Sequence, residues 1–207
     1  MIATLLAGLL AQDLEKPAVD EKAGTVSFGA TTLKAEIYAQ LKGVIEYVLV
    51  NKGGKAYESV FESAVDAKAV YDGLKKLGVQ PGQPAREEDD KKFPPEGGKF
   101  RIFVEWKDAD KARREPIGAF VIDTTTGKPM GASDWLFTGS KKGFIPDLER
   151  QDLLMLTSKN LIALHHSDPT VLATNPTAST DGNRYKVNKE ILPKEGTPVK
   201  IVLEAVK

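Results

Sequence analysis

Val44-Ile45-Glu46-Tyr47-Val48-Leu49-Val50 is an almost unbroken apolar, β-branched run. It is followed by Asn51-Lys52-Gly53-Gly54-Lys55 and then by Tyr57-Glu58-Ser59-Val60-Phe61-Glu62. The first run predicts a strand buried on both faces. The second holds residues that tolerate positive φ and predicts a tight turn. The third alternates, with Tyr57, Ser59 and Phe61 on one face and Glu58, Val60 and Glu62 on the other, so it predicts a second strand. A helix over about 66–77 comes next. Asp66 is its N-cap, and Val65 and Val70 have the spacing of a hydrophobic staple. Val70, Tyr71, Leu74 and Leu77 make one apolar stripe, and Gly78 sits where a left-handed C-cap is wanted. So short a helix is marginal alone, and its stripe must lie on the strands before it.

Outward from this centre, residues 13–22 are polar and read as a spacer. Residues 25–28 and 33–39 read as strands, with 29–32 as the turn between them. On the other side, residues 85–98 carry a charge run and a Pro-Pro-Glu-Gly-Gly end, a long solvated loop. Phe100, Ile102, Val104 and Trp106 alternate with Arg101, Phe103, Glu105 and Lys107, the pattern of a half-buried strand. Further short strands are expected at 119–122, 135–137, 153–157, 161–164, 184–187 and 197–206. About ten strands against one or two helices predict an α+β fold, mostly antiparallel β-sheet with one main amphipathic helix.

The chain has 207 residues, enough for one sizeable core. Its 29 basic and 29 acidic side chains cancel, and no basic patch alternates with aromatics, which argues against a nucleic-acid partner. With no cysteine, disulfides, thiolate zinc sites and Cys-ligated iron–sulfur clusters are excluded. Met1-Ile2-Ala3-Thr4-Leu5-Leu6-Ala7-Gly8-Leu9-Leu10-Ala11 is an uncharged run with the length of a signal-peptide h-region, too short to cross a membrane as a helix. It lacks a basic n-region, and a core-seeking N-terminal helix is the alternative reading. Residues 1–20 are thus expected to be a leader with its spacer, and 21–207 one domain.

Several motifs together carry a family resemblance. They are Ile45-Glu46-Tyr47-Val48-Leu49-Val50, Gly54-Lys55-Ala56-Tyr57-Glu58-Ser59, and Leu77-Gly78-Val79-Gln80-Pro81-Gly82. They continue in Val104-Glu105-Trp106-Lys107, Thr126-Gly127-Lys128-Pro129-Met130, Asp134-Trp135-Leu136-Phe137-Thr138-Gly139-Ser140, and Leu192-Pro193-Lys194-Glu195-Gly196-Thr197-Pro198-Val199. In this order, from about residue 20 to the C-terminus, the chain resembles the YdjY-like domain. That domain occurs in exported bacterial proteins and is frequent in planctomycete-type genomes. The resemblance implies export to the periplasm or cell envelope and supplies no settled activity. Histidine is common in the family where Tyr57 and Tyr71 stand here.

Nucleotide, metalloprotease and serine-hydrolase signatures are absent. Asp134-Trp135 is the most distinctive local feature: a ring that stacks on a sugar beside a carboxylate that accepts its hydroxyls, or a core Trp beside a turn-capping Asp. Glu58 matches a family position, and Ser140 lies in a Gly-Ser-Lys-Lys-Gly turn able to cradle an anion. His165 and His166 are the only histidines. They point to opposite faces if they lie on a strand, and in a turn one of them with Asp168 would suit a weak zinc or acid–base site. Asp181 and Asn183 flank Gly182 in a turn with two of the oxygens that calcium needs.

Three functions fit these residues. The leading one is a non-enzymatic exported module that binds an envelope protein or glycan, with Glu58, Asp134, Trp135 and Ser140 as ligand contacts and no cofactor. The second is a metal-assisted hydrolase with an acidic site of Glu58, Asp134 and Asp181, using calcium or zinc and drawing on Asn183, His165 or His166. The third is a structural part of an envelope assembly.

Overall fold

The computed structural model describes residues 16–33, 43–175, 177 and 181–206. The expected leader segment 1–11 and most of the expected strand 33–39 lie outside them. In chain order come β1 (Ala18–Asp20), β2 (Thr25–Thr32), β3 (Tyr47–Asn51), β4 (Phe61–Ser63), α1 (Ala67–Lys76), β5 (Arg86–Glu88), β6 (Lys91–Phe93), β7 (Gly98–Asp108) and β8 (Lys111–Pro116). After these come β9 (Val121–Asp123), β10 (Lys128–Pro129), β11 (Trp135–Phe137), β12 (Lys142–Ile145), β13 (Arg150–Leu153) and α2 (Met155–Ser158). The last are β14 (Asn160–Ala163), β15 (Ala173–Thr174), β16 (Tyr185–Val187) and β17 (Pro198–Ala205).

Eight strands close into a barrel in the order β2-β17-β7-β11-β15-β14-β3-β4, and β4 returns to β2. Most neighbours are antiparallel, but β3–β4 and β14–β15 are parallel. The expectation of an α+β fold is therefore overturned. Strand makes up 44% against 13% helix, and α1 is the one helix of any length. The correction has a physical source. Alternation marks which face of each strand is buried but says nothing of who pairs with whom, and the closing pair here is two residues long, Thr31↔Glu62 and Thr32↔Phe61. The 29–32 turn is absent for the same reason: β2 runs unbroken to Thr32 to reach β4.

The opening stretch is corrected in the same way. β3 and β4 are not a hairpin but a parallel pair, so the chain between them must cross back along the barrel. That crossover holds a 3-10 turn at Ala56–Glu58 where a strand was expected. The expected loop at 85–98 contains the exposed hairpin β5–β6, turned by Asp89 and Asp90, both at positive φ. The expected spacer carries β1, paired to β2.

Inward alternation fills the barrel. Phe28, Phe61, Phe100, Ile102, Trp135 and Ile201 belong to one continuous buried core. Phe120 meets Phe61 and Trp106 edge-to-face at 5.2 and 5.6 Å, near the far end of β7. At the near end, Tyr71 of α1 packs edge-to-face on Phe137 at 5.1 Å. Helix α1 forms as its sequence requires. The Asp66 carboxylate accepts from the amides of Lys68 and Ala69 at 2.8 and 3.2 Å. At the other end Gly78, at φ +85°, donates to Lys75 and Val79 donates to Leu74, the paired bonds of a Schellman stop. Ala67, Val70, Gly73 and Leu74 are its buried face.

Two substitutions separate cap from core. Asp66→Ala is expected to cost about 1 kcal/mol of unfolding free energy. Leu74→Ala, which hollows a fully buried position, is expected to cost roughly 2–5 kcal/mol. Urea denaturation of the three proteins checks the order, and an equal loss for both would contradict α1 as a core element.

Candidate functional site

On the barrel wall where β3 begins and β14 ends, the crossover from β3 to β4 and the loop after β14 lie over a second, smaller core. Tyr47, Val50, Ala163 and Val171 form it, with Ala56 packed against them. This is why β3 is buried on both faces, as its composition predicts. The Tyr47 hydroxyl, on a ring only 2% exposed, donates to Asp168 Oδ2 at 2.8 Å. Asp168 also accepts from Asn160 Nδ2 at 3.3 Å and, through Oδ1, from the amide and hydroxyl of Thr170 at 2.8 and 2.6 Å. Burial works to raise the Asp168 carboxyl, but the Thr170, Tyr47 and Asn160 donors outweigh it and hold it below the usual range. Burial and the Asp168 charge push the Tyr47 phenol well above its ordinary value.

Beside this framework lies a recessed polar cluster. The Lys55 ammonium donates to Glu46 Oε2 at 3.0 Å and to Glu58 Oε2 at 3.3 Å, and it stands over the Tyr47 ring at 5.4 Å. The two carboxyls also act directly on one another. Burial and the neighbouring Glu46 charge raise Glu58. Burial also works upward on Glu46, but the Lys55 hydrogen bond and the His165 and Lys55 charges bring it below its ordinary value. The pair is thus split, one carboxyl holding its proton more tightly than usual and the other less.

His165 closes the cluster from behind, its side chain 6% exposed. The Ser167 amide donates to Nδ1 at 3.2 Å, and the Ser167 hydroxyl lies 2.5 Å from the same nitrogen. An amide can only donate, so Nδ1 is the acceptor and the neutral ring carries its proton on Nε2. That Nε2–H is buried without a hydrogen-bond partner and faces Glu46 Oε2 across 3.6 Å. Burial lowers the His165 pKa despite the Glu46 and Asp168 charges. His166 points elsewhere, donating from Nε2 to the Asn175 carbonyl at 2.8 Å. The two histidines lie in the bend after β14 and take different partners.

Gly182 lies against the Glu46 carboxylate, and a Cβ added there would stand 2.7 Å from Oε1. Its turn is anchored by Arg184, whose Nε and guanidinium donate to Asp123 at 3.2 and 2.6 Å. Of the residues predicted from sequence, Glu58 and His165 thus meet in one place, with the turn bearing Asp181 and Asn183 beside them. Glu46 and Lys55, which join them, were missed. Both sit in the opening stretch: Glu46 is a charge inside an apolar strand, a signal in itself, and Lys55 looked like turn filler.

The remaining candidates have other partners. Trp135 is 1% exposed in the core, so its ring is not available for stacking. Asp134 accepts from Arg101 at 3.0 Å. Ser140 is buried at positive φ, and its hydroxyl accepts from the Met155 amide at 3.0 Å. Thr138 donates to the carbonyls of Val171 and Leu172, tying β11 to the loop that carries Asp168. Asp181 accepts from the Asn183 amide at 2.9 Å as a turn cap. Among the described residues no three His, Asp or Glu side chains are placed to hold one metal ion. Nor, among them, is any helix long and apolar enough to cross a membrane.

A comparison with protein-family models matches the YdjY domain over residues 18–204. The chain belongs to the YdjY domain family. The match begins at β1, runs through the Glu46–Lys55–Glu58 and Asp134–Ser140 stretches, and ends in β17, so the cluster lies inside the YdjY domain. Comparison with curated proteins and with solved structures finds no match.

The buried imidazole gives a pH signature. The folded chain binds the His165 proton less readily than the unfolded chain does. Its stability should therefore be full at neutral pH and fall as pH drops through the unfolded value of about 6.5. His165→Gln should flatten unfolding free energy between about pH 7.5 and 5.5. Parallel curves for the two proteins would contradict the assignment.

Proposed function

We propose that this YdjY domain is an exported, non-enzymatic binding module of the cell envelope, and that it meets its partner through the Glu46–Lys55–Glu58–His165 cluster. The observation that supports this most is the division between a locked frame and a partly exposed polar face. Tyr47, Asn160, Asp168 and Thr170 satisfy one another behind it, while Glu46, Glu58 and Lys55 retain side-chain exposures of 27%, 17% and 41%. A preorganised polar patch lowers the ordering cost of binding.

The same geometry argues against catalysis. General acid–base work needs a group within reach of a substrate proton. The His165 Nε2–H is sealed from solvent, its Nδ1 is taken by Ser167, and Lys55 is bonded to both carboxylates. The alternative of a metal-assisted hydrolase with Glu58, Asp134 and Asp181 loses support because each carboxylate has separate work. Export rests on the h-region-like start and on the family. A protein or glycan of the envelope is the partner class this implies.

Two variants test the face without unfolding the barrel. Gly182→Ala displaces only the flexible end of Glu46, and Glu58→Gln removes one charge from the lysine. Co-sedimentation of the full-length chain with the native envelope fraction should fall about tenfold or more for each, since a charge-assisted bond contributes roughly 1.5–3 kcal/mol. Glu88→Gln on the β5–β6 hairpin should bind as wild type. Unchanged co-sedimentation of both site variants would overturn the assignment.

A further inference from the structure

From the donor and acceptor pattern of this cluster, we infer that its ligand is a neutral, hydroxyl-rich carbohydrate. The inference rests on the binding reading above and adds the ligand class. Anions are disfavoured, because the Glu46 and Glu58 carboxylates share a single Lys55 ammonium. Divalent cations are disfavoured as well, because the Lys55 ammonium lies between the two glutamates. A hydroxyl both accepts and donates, and the cluster presents both roles within one ammonium's reach: an N–H donor on Lys55 and carboxylate acceptors on Glu46 and Glu58.

With Trp135 buried in the core, the stacking ring assigned to the ligand is Tyr57. Tyr57, 40% exposed, sits in the 3-10 turn between Lys55 and Glu58. Its phenol has the apolar face and polar edge that a sugar ring stacks upon.

The His165 Nε2–H, without a hydrogen-bond partner, reports the state of the cluster. It aims at Glu46 Oε2, the same oxygen that Lys55 holds at 3.0 Å, and the gap of 3.6 Å is longer than a hydrogen bond. A sugar hydroxyl that takes over the Lys55 ammonium frees Glu46 to close on Nε2–H. Ligand binding on the surface is thereby reported by a buried imidazole that never touches the ligand.

The test is a titration of the full-length chain, ¹⁵N-labelled at histidine, followed by NMR. The probes are a neutral cello-oligosaccharide and a neutral chito-oligosaccharide, with n-butylamine and acetate as cationic and anionic controls. At least one saccharide should bind saturably and move the His165 Nε2–H resonance. Tyr57→Ala and Glu58→Gln should each weaken binding about tenfold, and the two controls should leave the resonance in place.

A resonance that stays fixed with both saccharides overturns the carbohydrate class. So does one that moves only with butylamine, which would mark an ammonium site, or saccharide binding indifferent to both variants. The two readings fail separately. Variant-sensitive co-sedimentation with no saccharide response removes the ligand class and leaves the binding face, whereas variant-insensitive co-sedimentation removes the face itself.

Discussion

Two residue pairs between β2 and β4 are the constraint on which the rest of the molecule depends. Without Thr31↔Glu62 and Thr32↔Phe61 the strands would form an open sheet with two exposed edges, each a template for pairing with other chains. Closing the sheet removes both edges at the cost of a topology with two parallel pairs. One of these, β3–β4, forces the intervening chain to climb back over the barrel wall. The candidate site is a consequence of that return. The crossover brings Lys55 and Glu58 to Glu46 at the foot of β3, and β14, antiparallel to β3, delivers His165 to the same spot.

The frame behind the site shows how the barrel holds polar groups in an apolar wall. Buried oxygens and amides cost free energy unless each has a partner, and Asp168 meets the requirement with four donors. Arg101–Asp134, Arg114 with Glu105 and Glu204, and Arg184–Asp123 are exposed or half-exposed pairs. Of these, Arg184–Asp123 differs in being bidentate and in fixing the Gly182 turn against Glu46, so it bears on site geometry more than on stability. The His165 Nε2–H, beside Glu46, is among the few buried side-chain groups without a hydrogen-bond partner in the described residues.

Local features were legible in the sequence wherever a nearest-neighbour rule governs them. The Asp66 cap, the Gly78 stop, the alternation of β7 and the burial of β3 follow from residues within a few positions of one another. Closure was not legible, since the two pairings that decide barrel against open sheet join residues thirty apart. The Ala56–Glu58 turn was lost for a related reason: alternation from Tyr57 onward fits a strand until the crossover is known. Glu58 was found by its family position and His165 as one of only two histidines, but Glu46 and Lys55 gain meaning only once β3 and β14 are neighbours. Trp135 had two readings, because a Trp beside an Asp looks alike in sequence whether it faces a sugar or the core, and the core is where it lies.

Hydrogen–deuterium exchange of the full-length chain, with and without its envelope fraction, tests the account most directly. New protection confined to residues 52–58 and 165–168, with the β5–β6 and β12–β13 hairpins unchanged, is the predicted result. Protection on either hairpin with 52–58 and 165–168 unaffected would contradict it.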